Sequence, residues 1–285
     1  MKKIRLILSA VLMMTAFGFI SCSHSASGSN SSGNTIGNDT GSNTSNTSNV
    51  TDGIRLQNGA TKQVGDIILN DGTVLRDTTS VSNTDKAKAI AVIYKVTGSK
   101  AYGVGLVHNK NGLKWCLESA NGYSTNFTDL QCEVSGSPIN PSFTGDTDGS
   151  DNFEKIAQAL GADNDTETAE NYPAFYFAKN YKSQTNSHVS GTAYENGWYL
   201  PTIAEFLDIL NLMGTVESKS NLCGGSQFDF GSQFDFGSQS NSSYWTSSQK
   251  VTLDKNAQSF CISTGAWSSG RKDDDMNVCC IRVFE

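Results

Sequence analysis

The chain has little of what most catalytic sites require. Histidine occurs three times in 285 residues, and His108 and His188 stand alone in polar stretches with no serine or cysteine motif beside them. Cysteine occurs seven times, yet no Cys-x-x-Cys pair exists and no histidine lies at ligand spacing, so a zinc site is not expected. Positive charge is short, with 21 Lys and Arg against 28 Asp and Glu, a net charge of −7 and a pI near 5.0. Without a basic stripe to release counterions, nucleic acid is excluded as a partner. Long apolar runs are missing too. Ile4–Ile20 is mostly apolar but has too short an apolar core to span a bilayer comfortably.

What is present begins with that run. Lys2, Lys3 and Arg5 precede it and Ser21-Cys22 follow, which reads as a secretory signal peptide over residues 1–21. "FISC", Phe19–Cys22, resembles a relaxed bacterial lipobox of the spirochaete kind, in which the cysteine becomes the lipidated first residue of the mature chain. Cys22 is therefore the expected lipidation site, an attachment to the membrane rather than a span. Residues 22–50 are almost wholly Ser, Asn, Gly and Thr after that cysteine. Such a segment has too little apolar surface to offset its ordering entropy and is expected to be a disordered tether. Residues 51–285 then suit one large domain, or a core domain with a small appendage.

Within that domain, "VGDIILNDGTVLR" reads as a hairpin about Asn70-Asp71-Gly72. "KAIAVIYKV" and "AYGVGLV" form a second hairpin, and Leu113–Ser119 is expected to be a short strand. Residues 121–147 look turn-rich and irregular. Asp151 and Glu154 are placed to cap a helix whose inner face carries Phe153, Ile156, Ala157 and Leu160. Residues 172–181 suit another short helix. In "GWYLPTIAEF" a strand runs through Trp198–Leu200 into Pro201, and Thr202 with Glu205 forms a Thr-x-x-Glu capping box. The next helix carries an apolar stripe of Ile203, Phe206, Leu207, Leu210 and Met213, with Gly214 as its stop. The hexapeptide Gly-Ser-Gln-Phe-Asp-Phe occurs at Gly225 and again at Gly231. It reads either as a loop enlarged by tandem duplication or as a loop presenting Phe228, Phe230, Phe234 and Phe236 to a partner. Three strands are expected at the end, Ser243–Gln249, Ala257–Ser263 and Val278–Phe284.

In combination, "GWYLPTIAEF", "YWTSSQ" and the final "VCCIRVF" resemble the treponemal lipoproteins with a C-type-lectin fold. "VGDIILNDGT", "WCLESANGY", "GDTDGSDNFEKI" and "NYPAF" fit the same group, so the resemblance covers about residues 64–285. It implies an α+β domain of the C-type-lectin-like type, with small antiparallel sheets, two helices and long loops. The group is similar to the formylglycine-generating-enzyme branch of that fold and includes the variable proteins of diversity-generating retroelements. The sugar-coordinating triplets Glu-Pro-Asn and Gln-Pro-Asp are absent, so carbohydrate binding does not follow from the fold.

The enzyme branch uses cysteine chemistry, which directs attention to Cys279-Cys280. Adjacent residues of one strand point to opposite faces, so this pair reads as packing and no catalytic residue is assigned. The six cysteines beyond Cys22 are even in number and compatible with disulfides in an exported protein, but read rather as buried free thiols. Asp146, Asp148 and Asp151 either cap a helix or hold calcium. The glycine spacing of an EF-hand is wrong, and no metal or cofactor is assigned.

Trp267, Ser268, Arg271, Lys272, Asp274 and Asn277 lie in a turn-rich stretch with no core to fill, either a solvated loop or a contact surface. The resemblance favours the surface, because the diversified members vary this C-terminal region. Trp267 and Arg271 are the expected anchors, with Trp245 as a third contact. The expectation is a monomeric, lipid-anchored, surface-exposed protein of the outer membrane that binds a protein or other macromolecule. The alternatives are a structural envelope lipoprotein and, least favoured, a formylglycine-generating-type enzyme.

Overall fold

The computed structural model describes residues 53–137, 140–161, 170–228 and 242–285. Cys22, the tether and most of the hexapeptide repeat lie outside these residues. The described residues all belong to one unit, Thr44–Glu285. Among them no helix is long and apolar enough to cross a membrane.

Turn chemistry sets the first strands. β2 (Ile67–Leu69) and β3 (Val74–Arg76) pair antiparallel. Gly72 makes the turn at φ +84°, where a side chain would be strained and a Cβ would strike the Asn58 side chain. β1 (Ile54–Leu56) pairs with β3 on its other side. β4 (Ala89–Thr97) and β5 (Lys100–Gly105) form the second hairpin about Gly98 at φ +61°. Both expected hairpins are present.

These strands build a seven-stranded antiparallel sheet in the order β1-β3-β2-β4-β5-β14-β9, with β14 Ile281–Phe284 and β9 Trp198–Tyr199. Ala89–Tyr94 of β4 is buried throughout. Its residues divide between two clusters, one built on Trp115, Phe127, Phe175 and Trp198 and the other on Ile203, Phe206, Ile209 and Tyr244. A strand covered on both faces has no polar alternation to keep. The helices α2 (Asn152–Leu160) and α3 (Pro173–Lys179) supply the first cluster. α4 (Ile203–Asn211) and α5 (Met213–Leu222) supply the second.

A five-stranded sheet follows the order β12-β11-β10-β13-β6: β12 Ala266–Arg271, β11 Asn256–Cys261, β10 Ser243–Gln249, β13 Met276–Val278 and β6 Asn109–Leu113. Its one parallel contact pairs Tyr244 with Asn277. β7 (Cys132–Ser137) and β8 (Asn140–Gly145) make a separate hairpin. The architecture is thus α+β.

Several expectations are corrected. The strand expected at Leu113–Ser119 is β6, which ends at Leu113, and Trp115 and Cys116 are buried in the turn beyond it. The stretch expected to be irregular, 121–147, contains β7 and β8. Asp151 precedes α2 but makes no side-chain cap bond, because its carboxylate is 2.8 Å from Lys155 Nζ. Glu154 closes no box and lies 3.8 Å from Lys179. Gly214 does not end α4. The break comes at Leu212, and Gly214 lies inside α5 with open space at its Cβ position. The final strand is two strands, since the chain leaves one sheet after Val278 and joins the other at Ile281. Side-chain alternation nevertheless persists through the step: Cys279 and Ile281 enter one cluster, Val278 and Cys280 the other.

Candidate functional site

The surface around β12 starts from a tight turn. Gly265 adopts φ +65° and returns the chain antiparallel to β11, pairing Trp267 with Phe260 and Arg271 with Asn256. The segment expected to be turns is therefore a six-residue edge strand followed by a turn at 272–275. Its composition, Ala-Trp-Ser-Ser-Gly-Arg, has too few β-branched residues to announce a strand. Period-two alternation places half-buried Trp267 against the Phe206 and Phe260 cluster, while Ser268 faces water.

Arg271 is exposed but engaged. Its Nε donates to Asp273 Oδ1 at 3.0 Å and its Nη2 to Tyr123 Oη at 2.7 Å. Tyr123 donates to the same Asp273 oxygen at 3.0 Å. Asp274 is exposed and accepts the Arg271 backbone N–H at 2.8 Å. Donating to Asp273 and Tyr123 raises the guanidinium above its ordinary value. Tyr123 and Asp273 were not evident from sequence as its partners, since Tyr123 is 148 residues away.

Three expected contacts are core residues instead. Lys272 is fully buried, and its ammonium donates to Gly122 O at 2.8 Å, Thr125 O at 3.0 Å and Gln249 Oε1 at 3.5 Å. It lies 4.9 Å from the ring centres of both Trp115 and Phe127. The run Arg-Lys-Asp-Asp-Asp reads as solvated, but the turn after β12 carries Lys272 into the core. Trp245 is also fully buried, with its indole N–H donating to Leu113 O at 2.8 Å. Asn277 is buried in β13. The contact surface thus reduces to Trp267, Ser268, Arg271 and Asp274.

The acidic run before α2 is occupied by the protein's own groups. Lys155 Nζ lies 3.4 Å from Asp146 Oδ2 and 2.8 Å from Asp151 Oδ1, and Asp148 Oδ1 accepts the Ser150 N–H. Among the described residues no group of three or more metal-ligating side chains is assembled.

The six cysteines beyond Cys22 are buried free thiols. Burial pushes Cys116, Cys132 and Cys223 up to about 12. Burial raises Cys261 as well, but hydrogen bonds with Ser242, Ser263 and Thr264 outweigh it and bring the thiol down to about 6. The imidazole of His108 is pushed down to about 3, chiefly by burial, and its ring centre lies 4.6 Å from that of Phe228. His188 Nδ1 is 3.1 Å from Ala89 O.

Of the two readings of the repeat, presentation to a partner does not hold for Phe228, which is packed among Phe206, Tyr244 and His108. The first hexapeptide copy is thereby pinned to the core at Phe228. Phe230, Phe234 and Phe236 lie outside the described residues.

The strand-to-helix junction is densely hydrogen-bonded. Thr202 Oγ1 accepts the Glu205 N–H at 3.2 Å, and Glu205 Oε2 accepts the Thr202 N–H at 2.9 Å, completing the expected box. Glu205 also accepts from Gly149 N at 3.1 Å and Tyr199 Oη at 2.8 Å. Ser248 Oγ accepts the Ile203 N–H. One carboxylate thus joins the chain at residues 149, 199 and 202.

No protein-family model and no curated protein matches this chain.

Proposed function

We propose that this chain is a lipid-anchored binding protein whose C-type-lectin-like domain takes a protein or other macromolecule at the β12 edge. The observation that carries the reading is the placement of half-buried Trp267 and exposed Arg271 on one rigid edge strand. Tryptophan and arginine are the residue types that most often anchor interfaces, and recognition residues on a stiff frame lose little entropy on binding. The lectin-like assignment rests on the resemblance and is supported by the capped junction after β9 and by a last strand seated between β5 and β9. Variation by a retroelement at this edge would alter ligand choice without touching Lys272, Trp245 or Glu205.

In situ cross-linking of the full chain, followed by detergent extraction, should capture a partner that the Trp267→Ala/Arg271→Ala variant fails to retain. The variant should stay folded with a melting temperature lowered by a few degrees, because Trp267 is only half-buried against the core cluster and Arg271 is exposed. Full retention by the folded variant would overturn the β12 assignment, and capture of nothing specific by wild type would favour a structural envelope role.

The anchor has its own test. Cys22→Ala should move the protein from the detergent phase to the aqueous phase, because a signal peptide alone leaves no acyl chain behind. Unchanged partitioning would remove the lipid.

A further inference from the structure

β12 ends the five-stranded sheet, and among the described residues no strand pairs beyond it. The direction of its main-chain groups follows from its C-terminal end. Lys272 N donates to Lys255 O at 2.9 Å, on the β11 side. One residue earlier, Arg271 N donates away from β11 to Asp274 Oδ2 at 2.8 Å, and Arg271 O accepts from Asp274 N at 2.8 Å. Asn256, opposite Arg271, also turns from β12, with its N–H on Leu253 O and its C=O on Lys250 N. Alternation along an antiparallel pair then sets the rest. Ala266, Ser268 and Gly270 bond to β11, while the N–H and C=O of Trp267 and Ser269 point out from the sheet. Among the described residues these outward groups have no main-chain partner.

Exposed sheet edges are normally guarded by shortness, bulges, proline or lysine. β1 and β9, which end the larger sheet, have three and two residues. β6, at the other end of the five-stranded sheet, pairs with β13 across a register shift. β12 has six residues, keeps one register against β11 throughout and contains neither proline nor lysine. Its edge is therefore open to a further strand. Side chains directly opposite share a face, so a residue added against Trp267 meets an indole already half-buried on the Phe260 side.

The C-terminal end of the edge is acidic. Arg271 is matched by Asp273 at 3.0 Å, and Lys114 lies 3.3 Å from Asp275. Asp274 is exposed and forms no ion pair among the described residues. An antiparallel segment brings its N-terminal end to this point. A second copy of the chain, paired through the same outward groups, would bring the uncharged turn Ile262–Gly265 there and a net charge of −7 with it. A segment with a basic residue is the better complement.

On the reading that β12 is the ligand surface, on which the inference rests, we propose that the partner is a protein that binds by strand addition. An extended segment pairs antiparallel with the N–H and C=O of Trp267 and Ser269. It places a β-branched or aromatic residue against Trp267 and a basic residue, at its N-terminal end, beside Asp274.

The probe is the peptide acetyl-Lys-Ser-Ser-Val-Ser-Val-Ser-amide, added to the full-length chain in detergent. Its valines oppose Trp267 and Ser269 and its lysine lies near Asp274. Binding should move the Trp267 and Ser269 amide resonances downfield and leave that of Ser268, already bonded to β11, nearly in place. N-methylation of both valine amides should weaken the peptide at least about tenfold. Methylating the serine before each valine removes donors on the far edge and should leave binding intact. Equal binding of the two methylated peptides would overturn the proposal. Ser269→Pro removes an outward N–H and no bond to β11, so the chain should fold and lose the peptide. If the substitution unfolds the edge, the methylated pair still decides. The partner cross-linked in situ separates strand addition from the choice of surface. Its retention by Ser269→Pro, with loss by Trp267→Ala/Arg271→Ala, would leave the β12 surface standing and overturn strand addition. Retention by both variants would remove the surface itself. A wild-type dimer that Ser269→Pro converts to monomer would overturn the proposal by giving the edge to a second copy.

Discussion

Glu205→Ala is expected to cost about 3–5 kcal/mol, because it leaves three buried donors without an acceptor at one point. The donors are Gly149 N–H, Thr202 N–H and the Tyr199 hydroxyl. For a domain of this size that corresponds to a fall in melting temperature of about 10 °C. Glu205→Gln keeps one carbonyl oxygen and should cost less, and Thr202→Ala, which removes only the cap, about 1 kcal/mol. The side chain also titrates in a useful range. Burial raises its pKa to about 7, although bonds from Thr202, Tyr199 and Gly149 work the other way. The native state therefore keeps a proton that the unfolded chain releases above its ordinary value near 4.5. This share of the stability is full below about pH 4.5 and is lost as pH rises through about 7. Denaturant melts at pH 4.5 and 7.5 should show the difference in wild type and not in Glu205→Gln. Equal differences in both proteins would mean that Glu205 is ionised throughout.

The second large effect is at Lys272. Lys272→Ala removes a fully buried side chain between Trp115 and Phe127 and strands the acceptors at Gly122, Thr125 and Gln249. The expected cost is about 3–4 kcal/mol from the cavity and the orphaned carbonyls. Lys272→Met fills the slot and should cost less than half of that. The pH dependence runs opposite to that of Glu205. Burial pulls the ammonium down to about 8, so between about pH 8 and 10.5 the unfolded chain carries a proton that the native chain has released. Stability from this residue is present above about 10.5 and lost as pH falls through about 8, worth up to about 3 kcal/mol. Tyrosines titrate in the same window, so the comparison is between wild type and Lys272→Met across it. Parallel curves would show that three carbonyls and two ring faces hold the lysine charged as in water.

The framework was legible where local chemistry dominates. Asn-Asp-Gly and Thr-Gly-Ser-Lys mark hairpins whatever surrounds them, and Thr202 with Glu205 marks a helix start within four residues. β10 carries Tyr244, Trp245 and Thr246, and the β11 stretch has Phe260 with Ile262 just beyond it, enough to read as strands. β7, β8 and β12 were not legible, because Ser, Gly and Asn dominate them and their strand character comes from pairing with a neighbour. The candidate surface suffered most from this. Treating 264–277 as turns made every charged residue look solvated, and Lys272 was misplaced for that reason. Strand alternation would not have placed it either, since Lys272 falls in register with exposed Ser268. No local signal could have joined Tyr123 to Arg271, or Arg282 to the carbonyls of 193–196, since each contact spans most of a hundred residues or more.

The step at Cys279-Cys280 has a consequence for how the protein is made. The last ten residues put β13 against β10 and β6, and then β14 between β5 and β9. One short terminal segment thus stitches both sheets shut. Until it has left the ribosome, β5 and β9 have no partner between them, and the early hairpins stand as an open edge. Closure must wait for residues 276–284, and a chain cut before Ile281 would leave the larger sheet without the strand between β5 and β9.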